Sequence, residues 1–180
     1  MVEIEIDDTI TSMAHRIAEK RHDSFDHDGY KTDSLPRVSY DRHFIGGLTE
    51  VAVSDYYNIL VDMEVRRTGD KHDFEIKYNG ESATLDIKAT TYRPPWLQVK
   101  EWKTDSDYYI ATYLSGIDAD SVELIGWASR EQVLSADFIS SPGGGDFRNY
   151  RLWKDEMEPV PRPEELSKLS QTASINCVSD

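Results

Sequence analysis

Three residues near the middle of the chain have the types and spacing for hydrolytic chemistry: Asp73, Asp86 and Lys88. The segments 73–78 and 81–88 alternate polar and apolar side chains around Asn79-Gly80, a dipeptide that accepts the positive φ of a two-residue hairpin turn. With that turn, partner numbers sum to 159, so Asp73 falls opposite Asp86, and Lys88 lies two residues further along the same face. Opposed residues hold their Cβ atoms about 4.5–5.5 Å apart, where like charges destabilise a sheet. Two carboxylates so placed beside a lysine suit a hard divalent cation such as Mg²⁺, which takes one or two carboxylates and keeps its other positions for water and substrate phosphate. The same residues would also serve as a solvated polar strand face, with Lys88 neutralising its neighbours. A bulged turn would slip the register and part the two aspartates.

The elements that must position these residues are legible from periodicity. Ile10, Met13, Ala14 and Ile17 predict a helix over 9–22, capped by Asp8 or Thr9. The Asp-, Ser-, Gly- and Pro-rich stretch 23–42 predicts a long loop, and its run Asp23–Asp28 resembles a calcium loop only loosely. Leu48, Ala52, Tyr56, Ile59 and Met63 predict a second helix from Gly46-Gly47 to Val65. After the hairpin come a short amphipathic segment, Trp96–Lys103, and two strands over 107–114 and 121–128. Ser129 and Gln132 have capping-box spacing for a short helix. The run Ser140–Gly145 predicts a flexible loop, and its glycines lack the Lys-Ser/Thr of a phosphate-binding loop. The expected domain covers residues 1–158, followed by a polar tail over 159–180 with one helical turn near Glu164–Leu169. Helices flanking a central mixed sheet make the expected class α/β or α+β.

At 180 residues the chain suits one domain with a proper core. It has no stretch near the roughly 18 apolar residues of a membrane span. Met1-Val2-Glu3-Ile4-Glu5 lacks the basic start and apolar run of a signal peptide, and the single Cys177 excludes an internal disulfide or a cysteine zinc cluster, so a cytoplasmic protein is expected. The balance of 34 acidic against 20 basic residues gives a net charge of -14, with Asp exceeding Glu and Arg exceeding Lys. Such acidity keeps a surface hydrated at high salt, which suggests a halophilic host or its virus; a merely acidic mesophilic protein or a basic partner would also account for it. The charge argues against the basic footprint of nucleic-acid binding. High salt, however, removes most of the counterion-release gain that such a footprint supplies.

The order Glu50, then Gly69-Asp70-Lys71-His72-Asp73, then Leu85-Asp86-Ile87-Lys88-Ala89 resembles the PD-(D/E)XK nuclease superfamily. Gly46-Gly47-Leu48-Thr49-Glu50 is similar to the helix segment that delivers the first acid in many members. The resemblance implies a restriction-endonuclease-like fold and a Mg²⁺- or Mn²⁺-dependent deoxyribonuclease, an endonuclease rather than an exonuclease. It further implies that Asp73, Asp86 and the Ile87 carbonyl bind the metal, that Glu50 reaches it through water or as a second-metal ligand, and that Lys88 orients the attacking water. DNA is the expected substrate, and a homodimer is compatible with this reading. Arg93, Lys100 and Lys103 follow the motif strand and are the cations expected to meet phosphates, with Gln98 and His72 as further candidates, while Trp96 and Trp102 are read as core or rim aromatics. His15, His22, His27, His43 and His72 lack metal-ligand spacing. Two rival readings are a non-catalytic nuclease fold that binds nucleic acid or protein, and an acidic interaction protein with no site.

Overall fold

The computed structural model describes residues 2–26, 36–61, 72–140 and 148–168. A short strand, β1 (Val2–Glu5), leads into helix α1 (Asp8–Asp26). The cap is Asp7 rather than Asp8 or Thr9: its Oδ1 accepts the Ile10 N–H at 2.8 Å, satisfying one of the orphan donors of the first turn. The helix continues past His22, so residues 23–26 of the expected loop are helical, while 27 and 28 lie outside the described residues.

Helix α2 runs Pro36–Tyr57, not from Gly46-Gly47 to Val65. A proline opens a helix well because its missing N–H has no partner in the first turn. The paired glycines, which suggested a helix start, are interior and serve a close crossing. A Cβ on Gly47 would stand 3.1 Å from the Ala14 carbonyl oxygen and 3.4 Å from its Cα. The helix stops at Tyr57 because Asn58 turns to a φ of 51°. Ile59 is buried beyond the helix end, and Met63 and Val65 fall outside the described residues.

The hairpin forms as its sequence requires. β2 (Phe74–Tyr78) and β3 (Glu81–Thr90) pair antiparallel from Tyr78↔Glu81 to Phe74↔Leu85, and both turn residues, Asn79 (φ 53°) and Gly80 (φ 83°), are left-handed. The segment expected as amphipathic is strand β4 (Trp96–Lys100), followed by β5 (Tyr108–Tyr113) and β6 (Ser121–Ser129). The capping box is present: Ser129 and Gln132 exchange bonds at the start of α3 (Arg130–Leu134). Strands β7 (Asp137–Ser140) and β8 (Arg148–Trp153) complete a second sheet, and the rest of the expected Ser140–Gly145 loop lies outside the described residues.

The fold is mixed α+β. Among the described residues six strands form a mixed sheet in the order β1-β6-β5-β3-β2-β9, where β9 is Leu166–Lys168 and only β3 and β5 pair parallel. Helix α2 packs on one face of the sheet, and α1 packs on α2. Ala52, Val53 and Tyr57 of α2 meet Phe74, Ile76, Leu85, Ile87 and Ile110, while Ile10, Ala14 and Ile17 of α1 meet Phe44, Leu48 and Val51 of α2. The opposite face is covered by the three-stranded sheet β4-β8-β7 rather than by another long helix: Leu97, Val99, Tyr150 and Leu152 pack on Tyr109, Ala111 and Ile125.

The segment expected as a polar tail is tied to the domain as far as Lys168. The Tyr57 hydroxyl donates to the Pro161 carbonyl at 2.9 Å, Pro163–Glu165 form a 3-10 turn, and β9 (Leu166–Lys168) pairs with the outer edge of β2. Leu166 is buried under that pairing. The domain therefore extends beyond the expected boundary at 158, and the helical turn expected at Glu164–Leu169 is a 3-10 turn followed by a strand. Among the described residues no helix is long and apolar enough to cross a membrane.

Candidate active site

Four of the expected residues converge where α2, the start of β2 and the middle of β3 meet. Register 159 holds through Phe74↔Leu85 and then shifts at Asp73, whose N–H donates to the Leu85 carbonyl at 3.1 Å. The shift does not part the aspartates. The Asp73 side chain takes over the acceptor role of the ladder, its Oδ2 accepting the Ile87 N–H at 2.6 Å, and its carboxyl group lies within hydrogen-bonding reach of Asp86. Ile87 thus meets Asp73 through its N–H, while its side chain belongs to the helix-side core.

Asp86 is 7% exposed and Glu50 8% exposed. The hairpin's polar face is therefore not simply solvated. Opposite Asp86 in the parallel β3–β5 pairing stands Tyr109, fully buried under the second sheet, and its phenol is pushed up to about 12 by burial and then by the Asp86 charge. Asp73 is raised well above the usual carboxylate range, first by burial, then by the charges of Glu50 and Asp86 and the shared hydrogen bond, with Lys88 opposing.

Two cations balance this crowd. The Lys88 ammonium pairs with Asp86 Oδ2. Arg21, which the reading of spacing and motif passed over, grips Glu50 with two bonds of 2.7 Å. A signal for it existed: Ile10, Ala14, Ile17 and Arg21 follow one another at helical spacing, so the apolar stripe of α1 ends in a guanidinium that must find a buried partner. Glu50 sits mid-helix, so a first-turn dipole does not explain it. Two cations thus stand against three carboxylates, and burial with the two neighbouring carboxylates favours the protonated form of Asp73.

The donor set of three carboxylates fits a hard divalent cation in its chemistry. As arranged, no three or more His, Cys, Asp or Glu side chains among the described residues group closely enough to hold a metal. Arg21 and Lys88 each hold one of these carboxylates instead. Binding a cation here requires those bonds to yield.

The expected phosphate contacts divide. Lys100 belongs with the cluster, because its pKa is lowered by partial desolvation and then by the charges of Lys103, Lys88 and Arg42. Lys103 and Arg42 stand near Lys100, and Arg42, on α2, has no motif to announce it. Arg93 does not join: its guanidinium pairs with Glu123 and lies 4.0 Å over the Tyr113 ring. His72 faces Glu75 at 3.6 Å. Gln98 accepts from the Trp96 indole N–H at 3.4 Å, and Trp102 is 52% exposed, a rim aromatic. His15, His22 and His43 lie along the α1–α2 contact, where His15 bonds the Tyr40 hydroxyl at 2.9 Å, and His27, Asp70 and Lys71 fall outside the described residues. No family model, curated protein or solved structure matches the chain.

Proposed function

We propose that this chain is a metal-dependent nuclease that hydrolyses DNA phosphodiester bonds, as an endonuclease, on a restriction-endonuclease-like variant of its α+β fold. The observation that carries the reading is the burial of Glu50 and Asp86 beside the half-buried Asp73, drawn from three separate stretches of the chain against the repulsion of like charges. A strand that needed only a polar face would leave these carboxylates to solvent, where they cost nothing. The order of elements agrees with the resemblance: an acid from a helix, an Asp at the mouth of β2, and Asp-x-Lys on β3.

In this reading Asp73, Asp86, Glu50 and the Ile87 carbonyl would hold Mg²⁺ or Mn²⁺. When bound, the ion would supply Lewis-acid polarisation of the phosphate and a more acidic water. Asp73 gives up its proton on forming the site, and its bond from the Ile87 N–H fixes the direction of its carboxylate. Lys88, released from Asp86, orients the attacking water and donates to the phosphate oxygen that gains charge as water adds to phosphorus. Lys100, Lys103 and Arg42 draw the phosphate backbone to an otherwise acidic surface.

A non-catalytic relative of the same fold is the second reading, favoured by one observation: Arg21 and Lys88 already neutralise the carboxylates without any ion. Cleavage of supercoiled, linear and branched DNA, with Mg²⁺, Mn²⁺, Ca²⁺ or chelator, separates the two. Mg²⁺- or Mn²⁺-dependent cutting that Asp86→Asn abolishes is expected. Absence of metal binding by calorimetry, or cutting by Asp86→Asn at the wild-type rate, would overturn the proposal.

A further inference from the structure

The face of the small sheet that points away from the core is built from rings and cations. Leu97 and Val99 of β4, and Tyr150 and Leu152 of β8, turn inward. The alternate residues Trp96, Gln98 and Lys100 therefore share the outer face with Trp153 and Arg151, while Asn149, the partner of Lys100, is buried. Tyr92, 63% exposed, stacks on Trp96 with centroids 5.7 Å apart and planes within 12°. Trp96 meets Trp153 edge-on at 5.5 Å, and the Arg151 guanidinium lies 4.6 Å over the Trp153 ring. The Arg151 Nε is buried with no hydrogen-bond partner among the described residues, although Asp137 stands opposite in register. At the other end of β4, the Lys100 ammonium lies 5.5 Å from the exposed Trp102 ring.

From these positions we infer that the outer face of β4 and β8 is a stacking platform for an unpaired nucleic-acid strand, which it leads to the candidate active site. The inference rests on the nuclease reading only for what lies at the end of the path. Every unpaired base offers a π-face to Tyr92, Trp96 or Trp153, whereas bases within a duplex are already stacked on one another. Arg151 and Lys100 answer the phosphates in a chain whose net charge of -14 would otherwise repel them. Trp96, Gln98 and Lys100 step along β4 at about 6.5–7 Å per alternate residue, and β4 packs against β3, the strand that carries Asp86 and Lys88. A neutral sugar would suit the rings and leave the two cations without a role. The substrate class is thus a single strand, or the unpaired arm of a branched or flayed duplex.

Fluorescence anisotropy of the full chain in chelator tests this with labelled DNA and RNA strands of about 20 nucleotides, longer than the usual footprint of such platforms, a blunt duplex of the same sequence, and a neutral oligosaccharide as competitor. Either strand should bind at least tenfold more tightly than the duplex. Tyr92→Ala, on an exposed side chain, and Arg151→Gln should each weaken strand binding roughly tenfold and leave duplex binding within twofold. Trp96→Ala should do the same in any preparation that keeps its melting temperature. Equal affinity for strand and duplex, strand binding unmoved by Tyr92→Ala and Arg151→Gln, or displacement by the oligosaccharide would each overturn the platform. Because binding is read without metal, a chain that holds the strand yet cuts no DNA in Mg²⁺ loses the nuclease reading alone. Cutting that survives without strand preference loses the platform alone.

Discussion

Arg21 on α1 and Glu50 on α2 form a fork-to-fork ion pair, with Nη1–Oε1 and Nη2–Oε2 both 2.7 Å, at the end of an apolar helix crossing. The pair anchors the helix that carries the first acid and neutralises that acid when no divalent ion is present.

Arg21→Ala should therefore destabilise the metal-free protein by about 2–4 kcal/mol, because it leaves a buried carboxylate uncompensated; the value sits below that of a wholly buried pair since Arg21 is 23% exposed. Mg²⁺ should restore more stability to this variant than to the wild type, because the ion replaces the lost charge. Thermal melts with chelator and with millimolar Mg²⁺ measure both, and equal Mg²⁺ shifts in the two proteins would dissociate Glu50 from the metal site.

Asp73 binds its proton more tightly when folded than when unfolded. In chelator its contribution to stability is therefore fullest below the unfolded pKa and is lost as pH rises from there through the folded value, the reverse of an ordinary ion-paired carboxylate. Asp73→Asn, which keeps an oxygen for the Ile87 N–H, should melt higher than wild type at pH 7, and the gap should close toward pH 4. A gap that is constant across this range would refute the raised pKa.

Metal binding to this cluster must displace the proton on Asp73. Mg²⁺ affinity should rise with pH through the range where Asp73 ionises, with about one proton released per ion bound. Calorimetry in buffers of different ionisation enthalpy counts that proton, and a count near zero would place the ion elsewhere.

Lys88→Ala should lower cleavage by roughly 10²–10³-fold while leaving Mg²⁺ affinity unchanged or higher, since the lysine competes with the ion for Asp86. Loss of metal affinity together with rate would instead mean that Lys88 serves only to organise the site.

The charge of -14 leads to a fifth prediction. At 0.01 M ionic strength the Debye length is about 30 Å and acidic side chains repel across the domain, whereas at 1 M it is about 3 Å. The melting temperature should rise over that series, and cleavage should persist at salt that strips ordinary nucleases from DNA. A flat melting curve with steadily falling cleavage would remove the high-salt explanation of the acidity.

Local patterns in the sequence carried over well, and long-range ones poorly. Asn79-Gly80 and strict alternation specified the hairpin almost residue for residue, and Ser129 with Gln132 specified a helix start, because each depends on neighbours a few positions apart. Gly46-Gly47 misled for the same reason: its cause is the approach of Ala14, far off in sequence, which no local rule registers. The sheet β4-β8-β7 was legible only as one amphipathic segment, since β4 is separated from its partner β8 by the whole of β5, β6 and α3. Of the site, the motif acids and Lys88 could be read directly. Arg21 required noticing a charge at an apolar position, and Arg42 left no mark.

Strand β9 is three residues long, yet it is the outer neighbour of β2, the strand whose entrance holds Asp73. During synthesis β2 and β3 leave the ribosome well before Leu166 does, an interval on the order of ten seconds at usual rates. Through that interval β2 offers an unpaired edge of the kind that recruits foreign strands. The edge of β2 therefore stays exposed to misassembly until the late-emerging β9 seals it. A truncation before Leu166 would retain every residue of the candidate site and still be expected to accumulate in inclusion bodies.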